Sequence, residues 1–305
     1  MIEIRRVLCP VDFSEFSRRA VEHAVAIATW YESAVTLLHV SPIVPLAAYA
    51  PGSGVLPTAN LSADDQERLL ASMKQLAADA AAGAAIPFDY KLAEGHAAAE
   101  ILNAATVLSS DLIVMGTHGR SGFERLLLGS VTEKVLRKAA CPVLSVPPAH
   151  GEPQARTAVS RRIVCAVDFS ECSLRGLDYA ISLAQESDAS LTVVHVLEMA
   201  SDISPDVPAI ISDQTLQEYV ATATTERQQR LERLIPDAVR DACSVETIVV
   251  RGKPYREILR IAVEQASELI VIGVHGRGPI DLLFFGSTAQ HVVRAAPCPV
   301  LTLRS

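Results

Sequence analysis

The segment Asp111–Ser130, DLIVMGTHGRSGFERLLLGS, returns as Glu268–Ser287, ELIVIGVHGRGPIDLLFFGS, and this repetition constrains the chain more than any other feature it has. Each copy runs from an acidic residue through a short apolar stretch to Gly-x-x-Gly, nine further residues and Gly-Ser. Gly116, Gly119, Gly129 and Ser130 correspond to Gly273, Gly276, Gly286 and Ser287 at an offset of 157. The correspondence extends beyond the segment. VLCPVDFSEFSRRAVEHA from Val7 matches IVCAVDFSECSLRGLDYA from Ile163 at an offset of 156, and Cys141-Pro-Val-Leu matches Cys298-Pro-Val-Leu at 157. The chain is a duplication, and its 305 residues allow each half a core of ordinary size. The stretch PPAHGEPQARTAVS from Pro147 is proline-rich, polar and without apolar period. The expected division is therefore 1–148, a linker 149–160, and 161–305.

Consecutive apolar residues at Leu112–Met115 and Leu269–Ile272 suit strands buried on both faces. The glycine that ends each run tolerates positive φ and has no Cβ, so successive N–H groups can be aimed at one point and receive an anion. Ser130 with Glu133, and Ser287 with Gln290, have capping-box spacing, which predicts a helix start at each Gly-Ser. A helix N-terminus offers unpaired N–H groups and the positive end of a dipole, a physical site for phosphate. Turn glycines and an ordinary cap would account for one copy. Two copies with identical internal spacing favour a built site. Neither copy is a P-loop, and neither has the G-x-G-x-x-G of a dinucleotide-binding turn.

Along each half, strands and helices alternate to give five strands, which predicts an α/β fold of two doubly wound parallel sheets with right-handed crossovers. Ser62 with Asp65 predicts the cap of a helix over Leu61–Ala82. A loop of about twenty residues follows the second strand of the first half, long enough to suspect a lid.

Net charge of −8 and a pI near 5.5 argue against a nucleic-acid-binding face. Charges in the opening MIEIRRVLCPVDFS argue against a secretory signal, and Pro42, Pro45, Pro51 and Pro57 break the charge-free stretch Ser33–Ala63 as a membrane helix. A cytoplasmic protein is expected. The six cysteines, without C-x-x-C spacing, read as free, mostly buried thiols.

Asp12 and Asp168 close their first strands in V-D-F-S-E. A carboxylate there can accept hydrogen bonds from ribose or a base, or help cap the helix that follows, and the two roles are compatible. Arg120 and Arg277 follow the second glycines, where they either reach phosphate oxygens or stand idle in a loop. His39, His118, His195 and His275 find no partner for catalysis in the sequence and read as packed, neutral side chains.

With the glycine pattern, the V-D-F-S-E turn and the C-P-V-L strand in hand, the chain resembles the universal stress protein family in its tandem form, over all but the linker and the loops after the second strands. The resemblance implies ATP, with magnesium held mainly by the phosphates. It implies that Asp12 and Val40 hold adenosine while Gly116, Gly119, Gly129, Ser130 and Val131 hold phosphate. In the second half Asp168, Val196, Gly273, Gly276, Gly286, Ser287 and Thr288 take the same roles. Phe13 and Phe169 stand where many members have glycine. The resemblance further implies strand order 3-2-1-4-5 and an internal pseudo-dimer through the fifth strands, with a homodimer open. It points to an ATP-dependent regulator or sensor in stress. The other readings are a slow ATPase or phosphotransferase using Ser130 or Ser287, and a scaffold that only dimerises.

Overall fold

The computed structural model describes residues 2–43, 61–118, 128–148, 161–198, 213–274 and 285–304. The chain divides at Ala149 into two compact units, each taken here by itself.

The first unit contains β1 (Arg6–Pro10), α1 (Glu15–Tyr31), β2 (Ala34–Ser41), α2 (Ala63–Ala81), β3 (Phe88–Glu94), α3 (Ala97–Val107), β4 (Leu112–Gly116), α4 (Ser130–Lys138) and β5 (Val143–Val146). Its strands lie in the order β3-β2-β1-β4-β5, and every adjacent pair is parallel. The second unit repeats this with β6 (Arg162–Ala166), α5 (Glu171–Ser187), β7 (Ser190–Leu197), α6 (Asp213–Leu234), α7 (Asp237–Ala242), β8 (Val245–Arg251), α8 (Pro254–Glu264), β9 (Leu269–Gly273), α9 (Ser287–Ala295) and β10 (Val300–Leu303). Its order is β8-β7-β6-β9-β10, again parallel throughout.

The apolar runs of the central strands explain this arrangement. Leu8, Cys9, Leu37, Ile113 and Val114 are fully buried, as are Val164, Cys165, Val193, Ile270 and Val271. Successive residues of a strand point to opposite faces, so full burial of neighbours requires cover on both. Helix α1 brings Ala20, Val21, Ala24 and Ala28 to the interior, small side chains that let its backbone lie close to the sheet. The strand order reverses between β1 and β4 and between β6 and β9, and open parallel sheets bind ligands at the carboxyl ends of strands there.

Two helix starts differ from expectation. Helix α1 is capped by Ser14 and not by Asp12 directly: the Ser14 hydroxyl accepts from the Ser17 N–H at 3.3 Å, as Ser170 accepts from Ser173 for α5. The capping box at Gly-Ser does not form. Gly129 and Gly286 are the N-caps of α4 and α9, and Ser130 and Ser287 are already helical. Helix α7, entered through Pro236, was not anticipated from the sequence. All six cysteines are free thiols, five of them buried. Among the described residues no helix is long and apolar enough to cross a membrane.

Candidate functional site

The end of β1 passes directly into a tight turn. Asp12 Oδ1 accepts from the Ser14 N–H at 3.0 Å and from the Ser14 hydroxyl at 2.5 Å, and Asp168 Oδ1 does the same for Ser170. Each aspartate thus holds the serine that caps the next helix. The residue between them pays a conformational cost, since Phe13 and Phe169 have φ of 63° and 66°, a region where non-glycine residues are uncommon. Their rings lie against His39 and His195, with centroids 4.9 and 4.6 Å apart. The histidines are fixed in turn: Nδ1 of His39 donates to the Val11 carbonyl at 2.8 Å and Nδ1 of His195 to that of Val167 at 2.7 Å. This agrees with packed histidines. His118 joins the Thr117 hydroxyl at 3.0 Å and lies 5.6 Å from the Phe16 ring.

At the end of β4 the glycines are needed for space and not for positive φ. Among the described residues the glycines with positive φ are Gly83, Gly95 and Gly252, and none of these belongs to the repeated segments. A Cβ on Gly116 would lie 2.8 Å from Phe16 Cβ, and one on Gly273 would lie 3.0 Å from Cys172 Sγ. The first turn of α1 or α5 therefore crosses the strand end with no room for a side chain. Gly129 has φ −59° and ψ 138°, and Gly286 nearly the same. A Cβ there would meet the Thr117 carbonyl oxygen at 2.9 Å or that of Val274 at 2.7 Å. These same carbonyls accept from the Gly129 and Gly286 N–H groups at 2.8 Å. The close approach expected of the two glycines is thus an approach to the protein's own backbone.

The first intrahelical bond of α4 runs from the Glu133 N–H to the Gly129 carbonyl. The N–H groups of Ser130, Val131 and Thr132 precede it, and Gly129 has no side chain with which to cap them. Glu133 adds no reciprocal bond to a serine cap. Thr132 donates its hydroxyl to the Gly116 carbonyl at 2.9 Å, tying the helix start to the end of β4. The second unit has Ala289 at that place and makes no such tie.

These elements surround one cavity of about 170 Å³ in the first unit. Asp12, Val40, Gly116, Gly129, Ser130 and Val131 line it together with Val11, His118, Thr132 and, from α3, Ala97 and Ile101. The structure therefore brings together six of the eight residues singled out in the first half. The other two, Gly119 and Arg120, lie outside the described residues, as do Gly276, Arg277, His275 and the suspected lid. In the second unit Asp168, Val196, Gly273, Gly286, Ser287 and Thr288 occupy the matching strand ends and helix start. Thr132, His118 and Ile101 were missed as lining residues. His118 carried a signal, its place inside Gly-x-His-Gly. Thr132 and Ile101 carried none, because their inclusion depends on which turn of a helix faces the strand ends.

Residues 3–147 and 160–304 each match the model of the universal stress protein family. A universal stress protein of Methanocaldococcus jannaschii is 36% identical over 143 residues, 47% of this chain and 81% of that one. One of Mycolicibacterium smegmatis is 26% identical over 303 residues, covering 98% of this chain and 96% of the relative. Among solved structures, a universal stress protein from Archaeoglobus fulgidus shares the fold with a TM-score of 0.68 at 22% identity, over 99% of both chains.

Proposed function

The chain belongs to the universal stress protein family, and from that premise we propose that each half binds one adenine nucleotide, ATP with magnesium carried by its phosphates, and that occupancy regulates the protein's contacts in the stress response. The observation that carries this reading is the start of α4. Three N–H groups at the positive end of a helix open onto a cavity that also holds the Asp12 carboxylate. Phosphate suits the helix start, since the N–H groups donate and the dipole favours negative charge. Asp12 suits the other end of the ligand, where a carboxylate accepts from ribose hydroxyls or a base amine and would repel phosphate. Val40, at the end of β2, offers an apolar wall between the two. The cradle fits the group in the one respect that matters most, an uncapped helix start facing space. The matching residues of the second half support a second site of the same kind. The remaining proposed contacts, Gly119, Arg120, Gly276 and Arg277, rest on the repeated motif alone.

The test uses a substitution that the helix tolerates. A carboxylate at the first helical position favours the helix dipole and occupies the place of an incoming anion. Ser130 and Ser287 are exposed, so Ser130→Asp and Ser287→Asp preserve the fold while excluding phosphate. Calorimetric titration of nucleotide-free protein with ATP is expected to give two sites in the parent, one in each single variant and none in the double variant. Two sites persisting in the double variant would remove the helix starts from the phosphate cradle.

A further inference from the structure

The start of α4 is held to the end of β4 by bonds to two successive carbonyls. The Gly129 N–H donates to the Thr117 carbonyl at 2.8 Å, and the Thr132 hydroxyl donates to the Gly116 carbonyl at 2.9 Å. A threonine inside a helix ordinarily turns its hydroxyl to a carbonyl three or four residues back on its own helix. Thr132 instead reaches a residue 16 positions back, on another element. It does so from a buried position beside Gly129, and it lines the cavity of the first unit.

The second half keeps one bond of this pair. The Gly286 N–H donates to the Val274 carbonyl at 2.8 Å, but Ala289, buried like Thr132, has no hydroxyl to offer Gly273. A single bond between a helix start and a strand end leaves the helix more freedom to pivot about it. A second bond, to the neighbouring carbonyl, restrains that pivot and fixes the direction of the N–H groups that open the helix. The charge difference at the two starts does not cancel this effect. Glu133 stands where the second half has Gln290, and its carboxylate is drawn to Arg137, one turn further along and away from the helix start, at 3.7 Å.

We propose that Thr132 sets the two sites apart: it preorganises the phosphate cradle of the first half, which therefore binds nucleotide more tightly than the second. This rests on the nucleotide reading above and adds to it a ranking of the sites. Thr132 acts as a positioning residue, through the Gly116 carbonyl. Its one hydroxyl proton is committed to that carbonyl, so it gives phosphate no donor of its own. What it contributes is geometry in place before the ligand arrives, which lowers the ordering cost of binding. The first half then fills at low nucleotide concentration, and the second fills only as the concentration rises.

The experiment isolates each site in the full-length chain, using Ser287→Asp to leave the first and Ser130→Asp to leave the second. Calorimetric titration with ATP is expected to give a Kd about fivefold lower at the first site, the scale of one net hydrogen bond. Adding Thr132→Val to the Ser287→Asp protein should raise that Kd to the second site's, and Thr132→Ser, which keeps the hydroxyl, should restore it. Adenosine, which has no phosphate, should bind the valine variant as it binds the parent site. In the Ser130→Asp protein, Ala289→Thr should tighten the second site, a gain that can be read even where the valine variant fails to fold. Equal ATP affinities at the two sites, or a difference that survives Thr132→Val, would overturn this inference while leaving the nucleotide reading standing. Adenosine weakened as much as ATP would mean a general loosening and overturn the positioning role, as would an Ala289→Thr protein that binds ATP no more tightly. Absence of ATP binding in the parent would sink both readings.

Discussion

Phe13 and Phe169 show how a single residue can be costly in the backbone and still be retained. Left-handed φ in a bulky residue costs on the order of 1 kcal/mol or more, which explains glycine as an alternative at this position. Here each ring gains a histidine neighbour whose own Nδ1 is tied to the carbonyl just before the aspartate. Strand end, aromatic ring and imidazole thus form one unit that holds Asp12 or Asp168 in place. A different histidine is placed to respond to acid. Burial, and then the nearby Arg19, push His23 down from 6.5 to about 4. The folded chain therefore keeps His23 neutral while the unfolded chain takes up a proton near 6.5. Stability from this residue is fully present above about pH 7 and is lost as pH falls from 6.5 towards 4, at no more than about 1.4 kcal/mol per pH unit. Urea midpoints measured at about pH 7.5 and pH 5 should fall less between the two conditions for His23→Gln than for the parent. An equal fall in both proteins would mean that His23 does not titrate in this way.

Among the elements, the starts of α4 and α9 separate what the sequence reveals from what it conceals. The repeated Gly-Ser marks a helix start correctly, and the spacing of Ser130 and Glu133 suggests a side-chain cap. The helix instead begins one residue earlier, because the Gly129 N–H is already committed to the Thr117 carbonyl at 2.8 Å. No periodicity records a bond between two segments that approach only in the fold. For the same reason the role of the glycines was legible only in part: their need for space could be read, but the neighbour that fills it could not. Two consequences can be measured. Gly129→Val would place a branched side chain on a backbone carbonyl that cannot swing away, since even its Cβ lies 2.9 Å from Thr117 O. Destabilisation of about 1–3 kcal/mol is expected from such overpacking, seen as a lower denaturation midpoint with or without nucleotide. The same holds for Gly286→Val, whose Cβ would lie 2.7 Å from Val274 O. An unchanged midpoint together with lost binding would return both glycines to a role in contacting ligand. Helix α7 escaped notice for a simpler reason, being only six residues long and beginning after a proline.

For the whole molecule, duplication was the most legible property, since an offset repeated from Val7 to Cys298 leaves little freedom in domain number. Strand order was less accessible, because sequence neighbours such as β3 and β4 do not pair, and it came from resemblance before the pairings β1·β4 and β6·β9 bore it out. Each unit carries its own buried strands and its own helices, which leads to a prediction for the first half alone. Within that unit β5 pairs with β4 on one side, and its residues Val143, Leu144 and Val146 are apolar. Expressed alone, residues 1–149 should unfold cooperatively, because the core formed by β1, β2, β4 and α1 lies within them. The edge of β5 away from β4 should then seek another strand, as exposed apolar edges do. Sedimentation is expected to show a dimer, and circular dichroism a single thermal transition that rises with protein concentration. A folded monomer would remove the motive for the proposed pairing of fifth strands. An unfolded half, monomeric or not, would show that the first unit does not hold its fold without the second.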